Sequence, residues 1–435
     1  MKKDSRFPSR QEFAVYVVRT LRSAGFDAFW AGGCVRDRLL GKEPKDFDVA
    51  TSARPEAVCR LFVEFKTLNV GVAFGVVVVV GPRRAGNVEV ATFRRDANYS
   101  DGRHPDSVEF STAEFDARRR DFTINGIFYD PIECQVVDYV GGQKDLANKL
   151  IRAIGDPDDR INEDKLRMLR AVRFSATLGF QIEPRTKEAV QRHAGELSMV
   201  SAERISEEMR RMLKHERRAA AVSLLRDTGL LSVILPELSG CSGDTGEAEW
   251  LQTLQILSGL ASAEFPIALG ALLRSLAPSP TDEPGIETEV NGICRRWRLS
   301  NDESSLTAWL VRHESKLRSA RARPWPEIQR LLTHANAKAL VELARAIAVV
   351  VNGQLAEIQF CEGKLALPRE ELDPPPLITG NDLIAQGFRP GKGFSSILRQ
   401  VRDAQLESRI SNRQDAIQLA TKLMEPGSHS ATKLL

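Results

Sequence analysis

The stretch that most constrains this chain runs from Ala31 to Asp48, AGGCVRDRLLGKEPKDFD. Gly32 and Gly33 stand between an apolar run (Phe26, Ala28, Phe29, Trp30) and a segment in which Val35, Leu39 and Leu40 have helical spacing. Backbone without Cβ atoms can approach phosphate oxygens closely, and a helix start offers free N–H groups to an anion. Gly41 ends the helix, and Asp46-Phe47-Asp48-Val49 reads as a strand. Strand alternation then puts Asp46 and Asp48 on one face, the arrangement that holds divalent metal ions at a nucleoside triphosphate. A lone DxD or a lone GG commonly marks nothing more than a solvated turn. The order glycine pair, helix, glycine, DxD is a far rarer coincidence and points to nucleotide chemistry.

The segments on either side fit an α/β domain. Gln11–Ala24 has Phe13, Val17 and Leu21 four residues apart and predicts a helix. Phe26–Trp30 predicts a strand, Arg54–Glu64 a helix, the five valines Val76–Val80 a buried strand, and Asn87–Arg94 (NVEVATFR) a further alternating strand. Glu89 on that strand is a candidate third carboxylate, although an exposed strand glutamate would look the same. Arg94–Val108, RRDANYSDGRHPDSV, reads as a polar connection with little capacity to pack. Arg118–Gly126, RRRDFTING, sets three arginines before an apolar pattern of Phe122, Ile124, Ile127 and Phe128 that would dock it on the core. Asp138–Leu146, DYVGGQKDL, ends the sheet with a glycine turn.

From Ile161 onward the pattern turns helical. Asn162 is placed to cap a helix with Glu163 and Asp164 in its first turn, and Leu166, Leu169 and Val172 face inward. Asp164 and Arg167, three apart, then share the other face. They could form a plain surface ion pair worth a few tenths of a kcal/mol, or present acceptor and donor edges to a nucleobase. Helices continue through Ala202–Met209 (AERISEEM) and Leu224–Leu235 with a break at Gly229; Ser239–Glu249 predicts a linker, and about 250 to 366 is helical without further signal. After Pro374–Pro376, Arg389-Pro-Gly-Lys-Gly leads into a basic helix bearing Ile397, Leu398 and Val401. A glycine-rich turn with Arg389, Lys392 and Arg399 nearby suits a nucleic-acid phosphate, and also suits an ordinary charged surface.

Composition narrows the class. The chain has 435 residues, 42% hydrophobic and 27% charged, with a formal net charge of +3, which is ordinary for a soluble protein of about three domains. No stretch approaches the ~20 apolar residues of a membrane span, and the lysines of MKKDSRFPSRQEF precede no apolar signal core. Six cysteines without a CxxC pair argue against a zinc site or a disulfide framework and predict a reducing cytoplasm. The six histidines are dispersed, with no His-Asp doublet of a metal phosphohydrolase.

The glycine–DxD frame resembles the signature of the class II tRNA nucleotidyltransferase and bacterial poly(A) polymerase family. The segment around Glu89 is similar to the family's (I/V)EV(T/A)TFR, RRDFTING to its RRDFT(I/M)NA motif, DYVGGQKDL to its hinge motif, and EDKLRMLRA to its EDxLRxxRA motif. AERISEEM resembles a supporting motif of the neck, and the tail resembles that of bacterial tRNA nucleotidyltransferases. The resemblance covers about residues 12–240 and returns in the tail. It implies an α/β head with the nucleotidyltransferase fold and a mixed β-sheet (1–150), followed by an all-α neck (151–240), body (241–370) and tail (371–435), elongated overall. It further implies addition of CMP and AMP to the tRNA 3′ end from CTP and ATP. Asp46 and Asp48 would hold two Mg²⁺ ions, with Glu89 beside them. Gly32, Gly33 and Arg36 would bind the triphosphate, and Arg120, Asp121 and Asn125 the nucleotide ribose. Glu163, Asp164, Arg167 and Arg170 would choose the base, and Arg389, Lys392 and Arg399 would hold tRNA. The family has a flexible loop at the polar connection, where Asp96, Tyr99 and Arg103 stand here. Gly126 replaces the usual alanine.

Three rival readings remain: a poly(A) polymerase, a relative that adds only CC or only A, and a non-catalytic tRNA binder. The NVGVAFG sequence before the valine strand stands where bacterial poly(A) polymerases carry an arginine-rich GRRFR-like segment, which favours tRNA as substrate. A binder would have no use for Asp46, Asp48 and a base-reading pair. Sequence leaves the oligomeric state open.

Overall fold

The computed structural model describes residues 7–69, 75–97, 107–240, 244–276, 283–351, 355–391 and 393–424. Chain contacts divide the protein into two units, Met1–Gly240 and Cys241–Leu435.

The first unit opens with helix α1 (Arg10–Ser23), which Ser9 caps by accepting the Glu12 N–H. Then follow β1 (Ala28–Ala31), α2 (Gly33–Leu39), β2 (Asp48–Thr51), α3 (Pro55–Leu61), β3 (Lys66–Asn69), β4 (Val76–Val80) and β5 (Asn87–Thr92). After β6 (Arg94–Ala97) and β7 (Ser107–Phe110) come α4 (Ala113–Arg118), β8 (Ile127–Asp130), β9 (Gln135–Asp138) and α5 (Gly142–Ala147). Seven strands form one sheet in the order β3-β4-β5-β2-β1-β8-β9. It is mixed: β2 and β5 run parallel, and the other neighbours are antiparallel.

Alternation gives the sheet two different faces. Val49, Val77, Val88 and Val90 pack under Phe13, Val17 and Leu21 of α1. Fully burying one such side chain stabilises by roughly 1.5–3 kcal/mol. On the other face Ala50, Phe93 and Phe128 meet Ala113 and Ala117 of α4. Asp48 and Glu89 belong to this second face, where the parallel register sets them directly side by side.

Four local expectations change. The DxD strand begins at Asp48, so Asp46 lies in the bend before it rather than two places along the same strand. Arg10 holds that bend off the sheet, donating to the Lys45 carbonyl and to Asp46 Oδ1. The polar connection is not structureless throughout, because its ends, β6 and β7, pair as an antiparallel ribbon. Residues 98–106, with Tyr99 and Arg103, lie outside the described residues, and of Asp96 only the backbone position in β6 is described. The anticipated linker at Ser239–Glu249 is helical from Asp244 onward. Last, the helix around Ile161 is two helices, α6 (Pro157–Glu163) and α7 (Arg167–Leu178). Asp156, not Asn162, caps the first by accepting the Asp158 and Asp159 N–H groups. Asn162 instead accepts from Lys165 Nζ at 2.6 Å.

Helices α8 (Pro184–His193), α9 (Ala202–Leu213), α10 (Arg218–Asp227) and α11 (Leu230–Ile234) complete the first unit, with Gly229 in the left-handed conformation between the last two. Every regular element among the described residues of the second unit is a helix. A small cluster of Ile378, Leu383, Ile397, Val401, Ala416 and Ala420 forms the core of its last three helices. No helix among the described residues is long and apolar enough to cross a membrane. Cys34, Cys59, Cys134, Cys294 and Cys361 are free thiols.

The glycine turn after β9 separates two demands. Gly141 has φ of 76° with open space around it, whereas a Cβ on Gly142 would stand 2.2 Å from the Thr123 carbonyl oxygen. Gly141→Ala should therefore cost about 1 kcal/mol of left-handed strain. Gly142→Ala should cost more, about 1–3 kcal/mol of overpacking, because backbone must move. Thermal melts of the two variants check this; equal shifts would show that the segment simply relaxes.

Candidate active site

A cavity of about 550 Å³ opens in the first unit beside the second sheet face. The glycine pair, Asp48, the RRD segment and one side of α7 all line it. The left-handed Gly32 lets the Arg120 guanidinium come close: a Cβ there would lie 3.2 Å from Arg120 Nη1. Arg36 leaves α2 and donates to Asn125 Oδ1 at 2.8 Å and to Asp37 Oδ1 at 2.7 Å. Asn125 Nδ2 donates to Asp121 Oδ1 at 3.1 Å, and Arg170 Nε donates to Asp121 Oδ2 at 2.8 Å. A continuous chain of polar contacts thus runs from α2 through the RRD segment to α7.

The charges in this wall are balanced in a definite way. Burial pushes the Asp121 carboxyl up, but Arg170 and the Asn125 and Arg170 hydrogen bonds outweigh it and hold the group at about 2. Asp116 of α4 is buried, yet Arg120 and Arg119 keep its carboxyl below the ordinary range. It binds Arg119 at 2.6 Å through one oxygen and Arg120 at 2.9 Å through the other. At the sheet the balance reverses. Partial loss of solvent in the cavity wall and then Glu89 push Asp48 up to about 6, with Arg120 acting against them and Asp46 adding to the rise. Two carboxylates held side by side against their own repulsion, on oxygen-donor side chains, fit a divalent cation such as Mg²⁺. Among the described residues no three carboxylate, histidine or cysteine side chains are gathered closely enough to enclose an ion, and Asp46 points to Arg10.

Asp164 and Arg167 both line the cavity, but not as partners on one helix face. Asp164 is extended (φ −152°, ψ 105°) in the break between α6 and α7. Its carboxylate is taken by Arg204 of α9 at 3.0 and 2.7 Å. Arg167 instead pairs with Glu163, which also holds Arg160, and donates to the Arg160 and Arg119 carbonyls at 2.9 and 3.1 Å. Tertiary contacts forty residues away, invisible to helical spacing, decide this geometry.

Of the candidate residues, Gly32, Gly33, Arg36, Asp48, Arg120, Asp121, Asn125, Asp164, Arg167 and Arg170 line the cavity. Glu89 adjoins it through Asp48, and Glu163 through Arg167. Sequence reasoning passed over Arg119, Arg173 and Phe174, which also line it. Arg173 continues the three-residue spacing of Asp164, Arg167 and Arg170, so its place could have been read. Its guanidinium lies 4.1 Å from the centre of the Phe174 ring, and Arg36 and Arg170 approach the same ring at 5.2 and 5.3 Å. In the second unit Arg389 and Arg399 are exposed and make no side-chain ion pair among the described residues, while Arg402, Arg409 and Arg413 are paired with Asp373, Glu407 and Asp382. Lys392 lies outside the described residues.

Known proteins match this chain along most of its length. The "Poly A polymerase head domain" family matches residues 28–152, "Probable RNA and SrmB- binding site of polymerase A" residues 179–241, and "tRNA nucleotidyltransferase domain 2 putative" residues 284–420. A CCA-adding enzyme of Lactobacillus helveticus is 33% identical over 408 residues, 93% of this chain and 95% of that protein. The chain belongs to the CCA-adding enzyme family. Identity to the Geobacillus stearothermophilus member rises to 43%, over 234 residues covering 54% of this chain and 56% of that one. Among solved structures of the family, the Bacillus stearothermophilus CCA-adding enzyme in complex with CTP is 28% identical, with a TM-score of 0.73 over 95% of this chain and 98% of that one. The Thermotoga maritima CCA-adding enzyme complexed with tRNA, at 18% identity and a TM-score of 0.67 over 95% of each chain, shares the fold.

The Asp121–Arg170 pair gives a pH signature. A carboxyl at about 2 when folded and near 3.9 when unfolded contributes about 2–3 kcal/mol, present above the unfolded value and lost as pH falls through the folded one. Asp121→Asn should lower the thermal midpoint at pH 7 by about 5 °C. The gap to wild type should close between about pH 4 and pH 2. A gap independent of pH would mean that packing, not charge, carries the contribution.

Proposed function

We propose that this protein adds CMP and AMP to the 3′ end of tRNA without a nucleic-acid template, making or repairing the CCA terminus and releasing pyrophosphate. The observation that carries this reading is one cavity lined at once by a glycine pair, a sheet carboxylate and an acid–arginine pair on separate elements. Membership of a family whose relatives are called CCA-adding enzymes supports it, as does the CTP complex of the Bacillus enzyme. Incoming CTP or ATP lies with its phosphates against Gly32, Gly33 and Arg36, whose guanidinium is already oriented by Asp37 and Asn125. Arg120, Asp121 and Asn125 meet the ribose, and Asp164 and Arg167 meet the base edge. Asp46 and Asp48, with Glu89 beside them, would hold the two expected Mg²⁺ ions, whose chemistry is to acidify the attacking hydroxyl and stabilise the departing pyrophosphate. The second unit's Arg389, Lys392 and Arg399 bind tRNA phosphates, and the work is done in the cytoplasm.

Three tRNA transcripts, ending before CCA, after C and after CC, test the reading when each is given CTP, ATP or both. Full CCA from the shortest transcript with both nucleotides is the expected outcome. Stalling after CC, addition of A alone, or long A tracts would assign the chain to one of its relatives instead. Asp48→Ala should abolish addition while leaving tRNA binding near wild type; turnover near wild type would remove the carboxylate assignment. Replacing Arg389, Lys392 and Arg399 together should weaken tRNA binding and flatten its dependence on salt by up to about 3 in log–log slope. An unchanged slope would make the tail a solvated surface.

A further inference from the structure

We infer that the first unit holds a second anion site, across α7 from the candidate active site, which takes a phosphate monoester carried on a small apolar body.

A separate cavity of about 420 Å³ opens at the C-terminal end of α7. At about 100° per residue, Arg167, Arg170, Arg173 and Phe174 fall on one side of that helix and Ser175 and Ala176 on the opposite side. The first four line the candidate active site and the last two line this cavity, so α7 is a wall between them. Ala176, Phe180, Ile182 and Leu224 give the second cavity an apolar surface, and Lys187 of α8 and Arg217 give it two cations. The Ser175 hydroxyl is spent within the wall, donating to the Phe180 carbonyl at 2.6 Å.

The cations are what set this cavity apart. In the candidate active site Arg36, Arg119, Arg120, Arg167, Arg170 and Arg173 are each paired with an aspartate or glutamate. No carboxylate lines the second cavity among the described residues. Lys187 and Arg217 make no side-chain hydrogen bond or ion pair among the described residues. A half-exposed lysine without a partner is ordinary. Arg217 is less so, because its guanidinium lies against the backbone of Gly179: a Cβ on that left-handed residue would stand 2.6 Å from Nη1 and 3.0 Å from Cζ. Contact with a bare glycine backbone thus sets the position of the group, while its N–H donors are left for a ligand.

Two unpaired cations call for two negative charges. A phosphate monoester carries about −1.5 to −2 at pH 7, whereas a carboxylate or a phosphodiester link carries one. A guanidinium fork also matches phosphate oxygens in geometry. The volume lies within the roughly 300–1,000 Å³ of small-ligand pockets, and the apolar walls would take a ring or an aliphatic body attached to the phosphate. Such a group comes either from a free organic phosphate or from the terminal phosphate of an RNA. None of the residues proposed to meet the incoming nucleotide lines this cavity, so the inference stands apart from that proposal.

Phenyl phosphate, titrated calorimetrically into the full-length protein, is the probe. Wild type is compared with Lys187→Ala, Arg217→Ala, Ala220→Trp and, as a control in the other cavity, Arg36→Ala, each with its thermal midpoint. Binding should be saturable in wild type and weaken at least about tenfold in Lys187→Ala and in Arg217→Ala, each of which removes one charge-assisted contact. Ala220→Trp, which fills the cavity from its own wall, should abolish binding, and Arg36→Ala should leave it unchanged. Benzoate and inorganic phosphate should each bind at least about tenfold more weakly, the first lacking a charge and the second the apolar body. Absence of saturable binding would overturn the inference, as would binding lost in Arg36→Ala and kept in Arg217→Ala. Equal affinity for benzoate or for inorganic phosphate would overturn the assigned ligand class. Should Arg217→Ala unfold, Lys187→Ala decides, since it leaves the contact at Gly179 in place. Competition by tRNA transcripts with a 5′-monophosphate or a 5′-hydroxyl separates the two sources. Displacement of phenyl phosphate by the first alone assigns an RNA end, and displacement by neither a free organic phosphate. Equal displacement by both would mean that phosphodiester links suffice, and would overturn the monoester assignment.

Discussion

The buried contact between Asp121 and Arg170 joins two parts of the first unit that have different origins in sequence. Asp121 sits where the segment after α4 enters the sheet, and Arg170 on the first full turns of α7. Asp121 faces no net cost of burial because Asn125, the Phe122 N–H and Arg170 all donate to it. Asn125 in turn binds Arg36 from the helix after the glycine pair. The residues proposed to meet phosphate, ribose and base therefore share one hydrogen-bonded frame. Any displacement of α7 would be transmitted to Arg36 through three side chains, and a geometry of this kind can position two ends of one nucleotide together.

Electrostatics explains why so many arginines can line one cavity. Asp37, Asp116, Asp121, Glu163 and Glu208 each hold one or two of them. The cations are thus oriented before a ligand arrives, and little side-chain freedom remains to be lost on binding. The sheet side follows the opposite rule, since Asp48 and Glu89 lie in adjacent register and oppose each other. One wall is suited to anions and the other to cations, as the proposed nucleotide with its metal ions would require.

Much of this arrangement was legible in the sequence, and the part that was not has a common cause. The valine run, the alternating Asn87–Thr92 strand and the α1 periodicity all declare themselves locally, and the structure places them as expected. So do the glycine pair and the RRD segment, whose residues meet in the cavity. Asp46 was misplaced because Arg10, thirty-six residues earlier, holds its bend away from the strand. The helix break at Asp164 was missed because the apolar spacing of Leu166, Leu169 and Val172 runs straight through it. The partner that stabilises the extended Asp164 lies forty residues on. Local periodicity reports which face is buried, and says nothing of a charged group recruited from a distant helix.

The alternation of β5 has a consequence for how this protein can vary. Val88 and Val90 are buried while Glu89 between them is exposed, and β2 shows the same contrast at Asp48 and Val49. Sliding β5 by one residue against its neighbour would send a glutamate into the hydrocarbon core and two valines into the cavity. The separation of the two carboxylates is accordingly a discrete quantity, guarded by the core behind the sheet. Substitutions that merely loosen the core would cost stability long before they blurred the chemistry. Apolar substitutions behind the sheet can therefore change its stability while leaving the spacing of the two carboxylates unchanged.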